Sequence, residues 1–322
     1  MPFSQRLLVL VSLACASFAV LAGPACGGRT GLLVPEGASD AGADRPVVHD
    51  AAHELDVEDA LPPIEASFHD VPISSECPDA ASTLVYVLTQ DNQLYSFYPP
   101  TLGFLKIGDI ACPSAGAVPF SMAVDRKGIA YSVFTDGSLF RLSTATAACQ
   151  PTKFSPGQDG FITFGMGYAA DTTGPGETLF VGEGNVTITP KPDSRGLASI
   201  DTTAFALHFV GPFAPPIPGP ELTGTGDGRL FGFYTNAAGS GSHIVEIDKA
   251  SGKLAADSVL QVGTPQDGYA FAFWGGDFWV FTSSSTSSVI TRFRPSDGSE
   301  TAMGTTAIPI VGAGVSTCAP GQ

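Results

Sequence analysis

Positive charge is scarce in this sequence. Its 15 lysines and arginines stand against 31 aspartates and glutamates, and the formal net charge at pH 7 is −16. A protein that binds nucleic acid needs clustered basic residues to neutralise the phosphates, whereas the few basic residues here are scattered along the chain. We therefore exclude nucleic acid as a partner.

Signatures of catalysis are also absent. The sequence contains no G-x-S-x-G nucleophile elbow, no H-E-x-x-H zinc motif and no glycine-rich phosphate loop. After residue 80 the only histidines are His208 and His243, and His208 falls in a predicted outer strand over Ala206–Val210. No Ser/His/Asp arrangement can be assembled from them. The sequence favours a protein without enzymatic activity and predicts no cofactor.

Long apolar runs are missing except at the N-terminus. There Arg6 precedes the run Leu7–Leu21, which is short for a bilayer span and typical of a signal peptide. Cys26 follows at a position where bacterial lipoproteins carry their lipid, although Gly23 replaces the usual lipobox leucine. We predict a signal peptide over residues 1–25 and an exported, membrane-attached chain lipidated on Cys26. Plain cleavage near this point is the alternative.

The next segment lacks any sustained hydrophobic period. Residues 36–80 hold twelve acidic residues against Arg45 alone, and alanine, aspartate and proline are frequent. Such a composition cannot bury enough apolar surface to offset the entropy of ordering. We predict a flexible acidic tether over residues 26–77. A metal site at His49, His53 and His69 is the weaker alternative.

Short strands joined by tight turns begin after the tether. In Ser121–Leu142 the predicted strands are Ser121–Val124, Ile129–Phe134 and Ser138–Leu142, with turn-forming residues between them. The third strand of this unit recurs five times with starts 45, 58, 47 and 46 residues apart, and the longest interval contains an insertion over Asn185–Arg195. The recurring third strands are Leu94–Phe97, Leu139–Leu142, Leu197–Ile200, Ile244–Ile247 and Ile290–Phe293.

A period in the forties with four short strands per unit is the pattern of a β-propeller blade. The first copy begins at its second strand, Leu84–Leu88, and lacks an inner strand. The segment Gly312–Cys318 aligns with the inner strand Gly165–Asp171. We therefore predict an all-β fold, a single five-bladed β-propeller over residues 78–322, closed by the C-terminal strand.

The cysteines outside the signal and lipid positions number four and show no C-x-x-C spacing, which argues against zinc. An even number suits disulfides in an oxidising compartment. The alignment places Cys318 at the end of the closing strand and Cys77 in the matching turn region, so we predict a Cys77–Cys318 bond. Elimination then pairs Cys112 with Cys149, although the strand order suggests that these two lie at opposite ends of their blades.

Two similar loops precede predicted inner strands and suggest a binding site. Residues 155–161 and 264–269 both contain a Pro/Gln/Asp/Gly turn, and loops that enter inner strands gather around one mouth of a propeller channel. The predicted ligand-binding residues at this mouth are Gln158, Asp159, Gln266, Asp267 and Trp274. Repeated turn chemistry is the alternative explanation for the loops.

The aromatic residues around Trp274 also have two interpretations. They could be exposed and stack on a sugar or peptide, or they could fill the wedge between blades, which such residues do more often. The residues concerned are Phe213, Phe271, Phe273, Trp274, Phe278 and Trp279.

A second set of polar residues recurs at the predicted ends of the inner strands. Asp125, Asp171, Asp227 and Asp277 could form a ring of carboxylates for a cation such as calcium. Aspartate also heads tight turns by binding the following backbone N–H groups, and we favour this role, with no metal. Within the inner strands themselves we expect no carboxylates of the kind that five-bladed glycosidases use.

Several stretches resemble a known group of proteins. Val87–Phe97, Ile110–Pro113, Met122–Asp125 and Thr146–Cys149, together with the leader Ala25–Thr30, are similar to predicted secreted β-propeller lipoproteins of myxobacterial type. The resemblance covers nearly the whole chain. It implies a propeller of the bacterial cell envelope with no assigned function.

These observations predict a non-enzymatic binding module at the cell envelope. Its partner would be a protein or a glycan, and its membrane contact would be the lipid on Cys26. The alternative is a metal-dependent propeller hydrolase or lactonase with its site in the central channel. A third option is a purely structural envelope protein.

Overall fold

The structure is a computed structural model that describes residues 83–184, 194–236, 241–262 and 267–321. The predicted signal peptide and tether, with Cys26 and Cys77, lie outside these ranges, as do Gln266 and most of the predicted insertion. The described residues contain strands and two short 3₁₀ helices, Pro99–Thr101 and Gln158–Gly160. None of the described helices could span a membrane.

In chain order the strands are β1 (Val85–Thr89), β2 (Gln93–Tyr98), β3 (Gly103–Asp109), β4 (Pro119–Val124), β5 (Ile129–Phe134), β6 (Leu139–Ser143), β7 (Cys149–Pro151), β8 (Phe164–Ala170), β9 (Glu177–Glu183), β10 (Leu197–Asp201), β11 (Ala206–Gly211), β12 (Glu221–Gly224), β13 (Leu230–Thr235), β14 (Ser242–Ile247), β15 (Leu254–Leu260), β16 (Gly268–Trp274), β17 (Asp277–Ser283), β18 (Ser288–Arg294), β19 (Ser299–Thr306) and β20 (Ile310–Val315).

These strands form five four-stranded antiparallel sheets arranged as blades. Blade one has the order β20-β1-β2-β3, and blades two to five each use four consecutive strands, beginning at β4, β8, β12 and β16. The C-terminal strand β20 therefore supplies the inner strand that the first copy lacks, with Val315 opposite Val85 and Ala313 opposite Val87. The predicted five-bladed propeller and its closure are confirmed. The closing strand ends at Val315, three residues before Cys318.

Each inner strand runs between two faces of the ring. We call the face where the inner strands β4, β8, β12, β16 and β20 begin the entry face, and the face where they end the exit face. Because the strands are antiparallel, the turns from inner to second strand lie at the exit face. The two labels apply to the strands near the axis, because the twist of each blade turns the outer strands away from the direction of the inner strand.

Apolar side chains pack between the blades and form the core. Phe97 of blade one contacts Trp279 and Phe281 of blade five, with ring centroids 5.6 and 5.4 Å apart. Between blades four and five, Phe231 lies against Phe278 at 4.8 Å. These rings are all buried. The wedge interpretation of the blade-five aromatics is therefore confirmed for Phe278 and Trp279.

Glycines allow the inner strands to approach one another closely. A Cβ atom on Gly165 of β8 would lie 2.1 Å from the carbonyl oxygen of Pro220, and one on Gly224 of β12 would lie 2.2 Å from that of Tyr168. Real Cβ atoms do not tolerate such distances. The glycine-rich inner strands thus bring blades three and four together near the axis.

The predicted Cys112–Cys149 disulfide is present, with 5.2 Å between the Cα atoms. The expectation that the two cysteines lie at opposite ends of their blades is wrong. Neighbouring strands are rotated relative to one another by about 20–25°. The direction of the outermost strand therefore differs strongly from that of the inner strand. Gly108, near the end of β3, consequently lies against Ala147 of the turn before β7, where an added Cβ would be 3.0 Å from the alanine Cβ. Cys318 is also disulfide-bonded, and its pairing with Cys77 stays a prediction.

Candidate functional site

The predicted channel mouth is not assembled, because Gln158 lies at the outside of blade three. Its side-chain Oε1 accepts a hydrogen bond from the backbone N–H of Leu207 at 2.9 Å, and its Nε2 donates to the carbonyl of Phe205 at 3.0 Å. Leu207 belongs to β11, the outermost strand of that blade. The loop that enters β8 therefore crosses the outer edge of the blade before it reaches the axis.

Asp267 and Trp274 are separated by the length of one strand. Asp267 precedes β16 at the entry face, where its backbone N–H donates to Ser283 at 3.0 Å. Trp274 ends the same strand at the exit face, and its indole N–H donates to the carbonyl of Thr83 at 2.6 Å. Asp267, Trp274 and Gln158 thus occupy three different places in the fold.

The inner strands carry a buried carboxyl group that the sequence interpretation missed. Glu221 is the first residue of the inner strand β12 and only 5% exposed. Its Oε2 accepts a hydrogen bond from the Ser121 hydroxyl of β4 at 2.7 Å, and the Ser121 oxygen accepts one from the backbone N–H of Met166 in β8 at 3.1 Å. One carboxyl group therefore links the inner strands of blades two, three and four. The expectation that inner strands lack carboxylates is wrong.

Burial governs the protonation of this group. Desolvation raises the pKa of the Glu221 carboxyl well above its ordinary value, and the hydrogen bonds from Ser121 and Met166 lower it only in part. Burial also raises the pKa of the nearby Tyr269 phenol, which donates to the carbonyl of Gly219 at 3.0 Å. No described cation pairs with Glu221, so the neutral acid is favoured here.

At the exit face, residues that follow β20 bind to several blades. The Thr317 hydroxyl accepts from Arg126 Nε of blade two at 2.6 Å and donates to Glu177 Oε2 of blade three at 2.8 Å. Further along, the carbonyl of Pro320 accepts from Gly275 N–H of blade five at 2.8 Å. Burial raises the pKa of Glu177, against the lowering effect of these hydrogen bonds. The C-terminal residues thus connect several blades at this end.

The recurrent aspartates act within their own turns or blades. Asp125 accepts from the backbone N–H groups of Lys127 and Ile129 at 2.9 and 2.8 Å, Asp171 accepts from the Thr178 hydroxyl at 2.7 Å, and Asp227 accepts from the Thr225 hydroxyl. Asp125 therefore has the turn role that the sequence favoured, whereas Asp171 and Asp227 bind hydroxyl groups instead of the following backbone N–H groups. Among the described residues no cluster of His, Cys, Asp and Glu is arranged to hold a metal ion.

Asp277 departs from this pattern. The turn in blade five is Gly275-Gly276, with both glycines at positive φ, so β16 continues to Trp274 and Asp277 begins the second strand. The expectation that Asp277 ends an inner strand is wrong. Its buried carboxylate instead pairs with Arg294 at 3.0 Å and Arg292 at 3.7 Å.

His243 has a carboxylate partner, but its ring is fully engaged. Its Nδ1 lies 2.9 Å from Asp257, and its Nε2 lies 3.0 Å from the side-chain amide nitrogen of Asn236. The ring also stacks on Tyr234, with centroids 4.8 Å apart. Since Asn236 donates to Nε2, that nitrogen is not open to accept a proton from a nucleophile. This arrangement is a structural one.

The remaining predicted residue, Asp159, lines a cavity at the outer edge of blade three. The cavity measures about 380 Å³, and the described residues that line it are Asp159, Arg195 and Phe209. We call it the blade-three hollow. Asp159 belongs to the short helix Gln158–Gly160, Arg195 precedes β10, and Phe209 lies in β11. Three segments distant in sequence therefore meet around one opening.

The charges in the hollow have no partners inside the described protein. Neither the Asp159 carboxylate nor the Arg195 guanidinium makes a side-chain hydrogen bond or ion pair with a described residue. Arg195 is positioned by its backbone N–H, which donates to Glu183, and its guanidinium lies over Gly160, where a Cβ atom would be 2.8 Å from Nη1. The Phe209 ring beside them is 49% exposed. Such a cavity can receive a ligand with charged and apolar groups.

Comparisons with known proteins add the following. No family model matches the chain, and no curated protein matches it. A nidogen/laminin complex structure is 11% identical over 74% of this chain and 99% of that chain, with a TM-score of 0.46. Hydrazine synthase of Kuenenia stuttgartiensis is 13% identical over 68% and 65%, with a TM-score of 0.40. The calcium-binding protein regucalcin from Agrobacterium tumefaciens is 12% identical over 69% and 70%, with a TM-score of 0.38. Likeness at this level carries no argument about function.

Proposed function

We propose that the chain is an exported, non-enzymatic binding module of the cell envelope and that the blade-three hollow receives its ligand. The observation that carries the proposal is that three exposed side chains meet around one opening: the Arg195 guanidinium, the Asp159 carboxylate and the half-exposed ring of Phe209. Exposed aromatic and arginine residues are frequent anchors in binding sites.

The size of the hollow supports this role. Its volume of about 380 Å³ lies within the range of roughly 300–1,000 Å³ that ligand pockets occupy. One of the residues that line it, Phe209, belongs to strand β11 of blade three.

The hydrolase alternative lacks converging groups among the described residues. Asp159 lies at the outside of blade three, Asp267 lies beside the inner strand of blade five, and the turn aspartates bind their own backbone or neighbouring side chains. Glu221 is isolated from other carboxylates in its hydrogen-bonded set. We therefore favour binding over hydrolysis.

The binding role predicts that ligands are lost when the hollow is altered. We expect a screen of peptides and oligosaccharides against the mature chain to yield ligands whose affinity falls at least tenfold, about 1.4 kcal/mol, in Phe209→Ala and Arg195→Ala. Arg195→Ala should keep the wild-type melting temperature, whereas Phe209→Ala should lower it slightly, because the Phe209 ring contacts the buried ring of Phe161 with centroids 6.4 Å apart. Isothermal titration calorimetry would measure the affinities.

Matched controls lie elsewhere on the ring. Leu105, 70% exposed on the outer strand of blade one, and Lys127, exposed on the turn that ends β4, should tolerate alanine without loss of binding. A screen in which no ligand depends on Phe209 or Arg195 would remove the proposal.

Export and anchoring form a separate part of the proposal. We expect Cys26→Ser to abolish lipid attachment and to move the protein from the membrane fraction to the soluble exported fraction. The lipid on Cys26 is the only membrane anchor that we propose, and even one remaining acyl chain would bind a membrane only marginally. The loss of membrane attachment should therefore be complete. Metabolic labelling with palmitate and membrane fractionation would check this. Unlabelled wild-type protein in the soluble fraction would instead indicate plain cleavage.

A further inference from the structure

The turn that carries Asp159 into the blade-three hollow is fastened to the edge of the blade. The side-chain amide of Gln158 accepts from the N–H of Leu207 and donates to the carbonyl of Phe205, both next to or within β11. Three backbone hydrogen bonds close the turn itself. The Asp159 carboxylate, although exposed, is therefore presented from a fixed place beside β11.

The other two side chains around the hollow also have supporting contacts. The backbone N–H of Arg195 donates to Glu183, and its guanidinium covers Gly160, where an added Cβ atom would lie 2.8, 2.9 and 3.1 Å from Nη1, Cζ and Nε. The ring of Phe209 contacts the buried ring of Phe161, with centroids 6.4 Å apart. A hydrogen-bond donor and an aromatic face are thus positioned around the same opening as the carboxylate.

The two charges at the opening are of opposite sign. A ligand with a single charge would be attracted by one of Asp159 and Arg195 and repelled by the other. A hydroxyl group can donate to the carboxylate or accept from the guanidinium, so neighbouring hydroxyls on a neutral ligand can use both. The net charge of −16 on the whole chain also repels anionic ligands. The charges therefore favour a neutral ligand rich in hydroxyl groups.

The half-exposed ring of Phe209 adds an apolar requirement. A pyranose ring has faces made of C–H groups, and such a face can lie on an aromatic ring and remove apolar surface from water. Its hydroxyls then point outward, toward polar groups at the rim. A pyranose thus combines the apolar face and the hydroxyls that the hollow can bind.

The edge of β11 gives a peptide less to bind. Gln158 already occupies the N–H of Leu207 and the carbonyl of Phe205, so an added strand would find only the backbone groups of Phe209. A sugar needs no row of main-chain partners. The side chains of the hollow therefore suit a sugar better than an extended peptide.

We propose that the ligand of the blade-three hollow is a neutral oligosaccharide, with one pyranose ring stacked on Phe209 and its hydroxyls bonded to Asp159 and Arg195. This inference rests on the proposed function and gives the ligand its chemical class.

Titration with neutral sugars tests the inference. The probes are cellohexaose, maltohexaose, xylohexaose and N-acetylated chitohexaose, added to the exported chain as its Cys26→Ser variant in a calorimeter. We expect at least one of them to bind, with an affinity that changes less than about twofold between low and high salt, because a neutral ligand has no charge to be screened. Phe209→Ala should weaken binding at least tenfold, and Phe209→Trp should retain it.

Two glycines of one turn provide a matched pair for the Arg195 contact. Gly157 and Gly160 both have positive φ, 83° and 79°, so alanine strains the backbone alike at either position. At Gly160 the new Cβ would displace the Arg195 guanidinium, whereas at Gly157 no described atom lies within 4 Å of it. We expect Gly160→Ala to weaken sugar binding severalfold and Gly157→Ala to leave it unchanged, with similar melting temperatures in the two variants. Equal sugar affinities would overturn the inference.

The remaining outcomes separate this inference from the proposed function. If none of the four sugars binds, or if sugar binding does not depend on Phe209, the inference fails. If charged peptides bind instead, through Phe209 and Arg195 and with an affinity that falls as salt is added, the inference fails and the proposed function stands. If no ligand depends on these residues, both fail.

Discussion

Truncation after Pro309 is expected to abolish folding of the propeller. The deletion removes β20, the inner strand of blade one, and leaves the edge of β1 without its partner. It also uncovers the core, because Ile310, Ala313 and Val315 are each at most 4% exposed. The truncated chain should show no cooperative thermal transition by circular dichroism and should aggregate in gel filtration.

The size of the effect follows from what β20 buries. Each buried valine or isoleucine contributes about 1.5–3 kcal/mol. The three in β20 are Ile310, Val311 and Val315, and together they approach the total stability of about 5–15 kcal/mol of a typical domain. The loss of strand pairing and of the Thr317 hydrogen bonds adds to this. Truncation after Ala319 is the matched control, since it removes mainly one bond from Gly275 to Pro320, worth about 0.5–1.5 kcal/mol.

Truncation after Pro309 also removes Cys318. A variant that keeps this cysteine is therefore needed to separate the effect of β20 from the loss of the disulfide. Ala313→Asp keeps Cys318 and the full length but places a charge at a position that is 2% exposed. It should be strongly destabilising. A synthetic peptide of residues 307–322 added to the truncated chain should restore the transition. Folding of the truncated chain without the peptide would contradict the role of β20 in ring closure.

The repeat made the fold predictable from the sequence. The third strands carry large apolar residues at regular spacing, and the missing first strand has a matching segment at the C-terminus, so period and closure followed together. Ring closure requires this match, because an open ring would leave the edge of β1 exposed. A physical constraint that recurs in every blade produces a repeating pattern, and such a pattern can be recognised in a single sequence.

Features that occur in only one blade were missed. Glu221 follows the proline-rich stretch 211–220, and β12 has only four residues, too few to show a strand pattern. Asp277 was misplaced because the two-residue turn Gly275-Gly276 shortens the link between strands. In both cases the local structure departs from the repeat, so the alignment of the repeats predicted it wrongly.

The candidate site was predictable only in part. Asp159 was identified from its turn, but the expected partners Asp267 and Trp274 belong to another blade. The residues that actually surround Asp159 are Arg195, which precedes β10, and Phe209 on β11. The twist of the blade carries the loop of Asp159 across the outer strand, and this path depends on tertiary geometry that no spacing in the sequence records.

The C-terminal residues that connect the blades at the exit face give the ring a stable base for a site at its outer edge. Thr317 joins Arg126 and Glu177, and the close approach of Gly165 and Gly224 to neighbouring carbonyls fixes the inner strands. Function in such a fold resides in the loops and edges that the rigid ring positions. The centre of the ring therefore contributes to stability. Glu221 lies there, and its largest effect is on the free energy of unfolding.

The stability of the protein should fall as the pH rises above about 4.3, because of Glu221. A glutamate in an unfolded chain has a pKa of about 4.3, whereas burial raises the pKa of Glu221 well above its ordinary value. The folded state therefore holds this proton more tightly than the unfolded state. Its contribution to stability is fully present below the unfolded pKa and is lost as the pH rises through the folded pKa.

Glu221→Gln should reduce this slope, because glutamine stays neutral and its carbonyl oxygen can still accept from Ser121. A smaller slope should remain, since burial also raises the pKa of Glu177 and of Asp125. A buried charge costs several kcal/mol, roughly 1.4 kcal/mol for each unit of pKa shift, so the variant should exceed wild type in stability at pH 8 and approach it at pH 4. Urea unfolding at pH 4 to 8 measures the free energies. Glu246→Gln is the control: Arg229 lowers the pKa of Glu246, so its stabilising effect is lost only as the pH falls, and the slope above pH 5 should persist. Equal slopes in wild type and Glu221→Gln would mean that the buried Glu221 carboxyl is not the group that titrates.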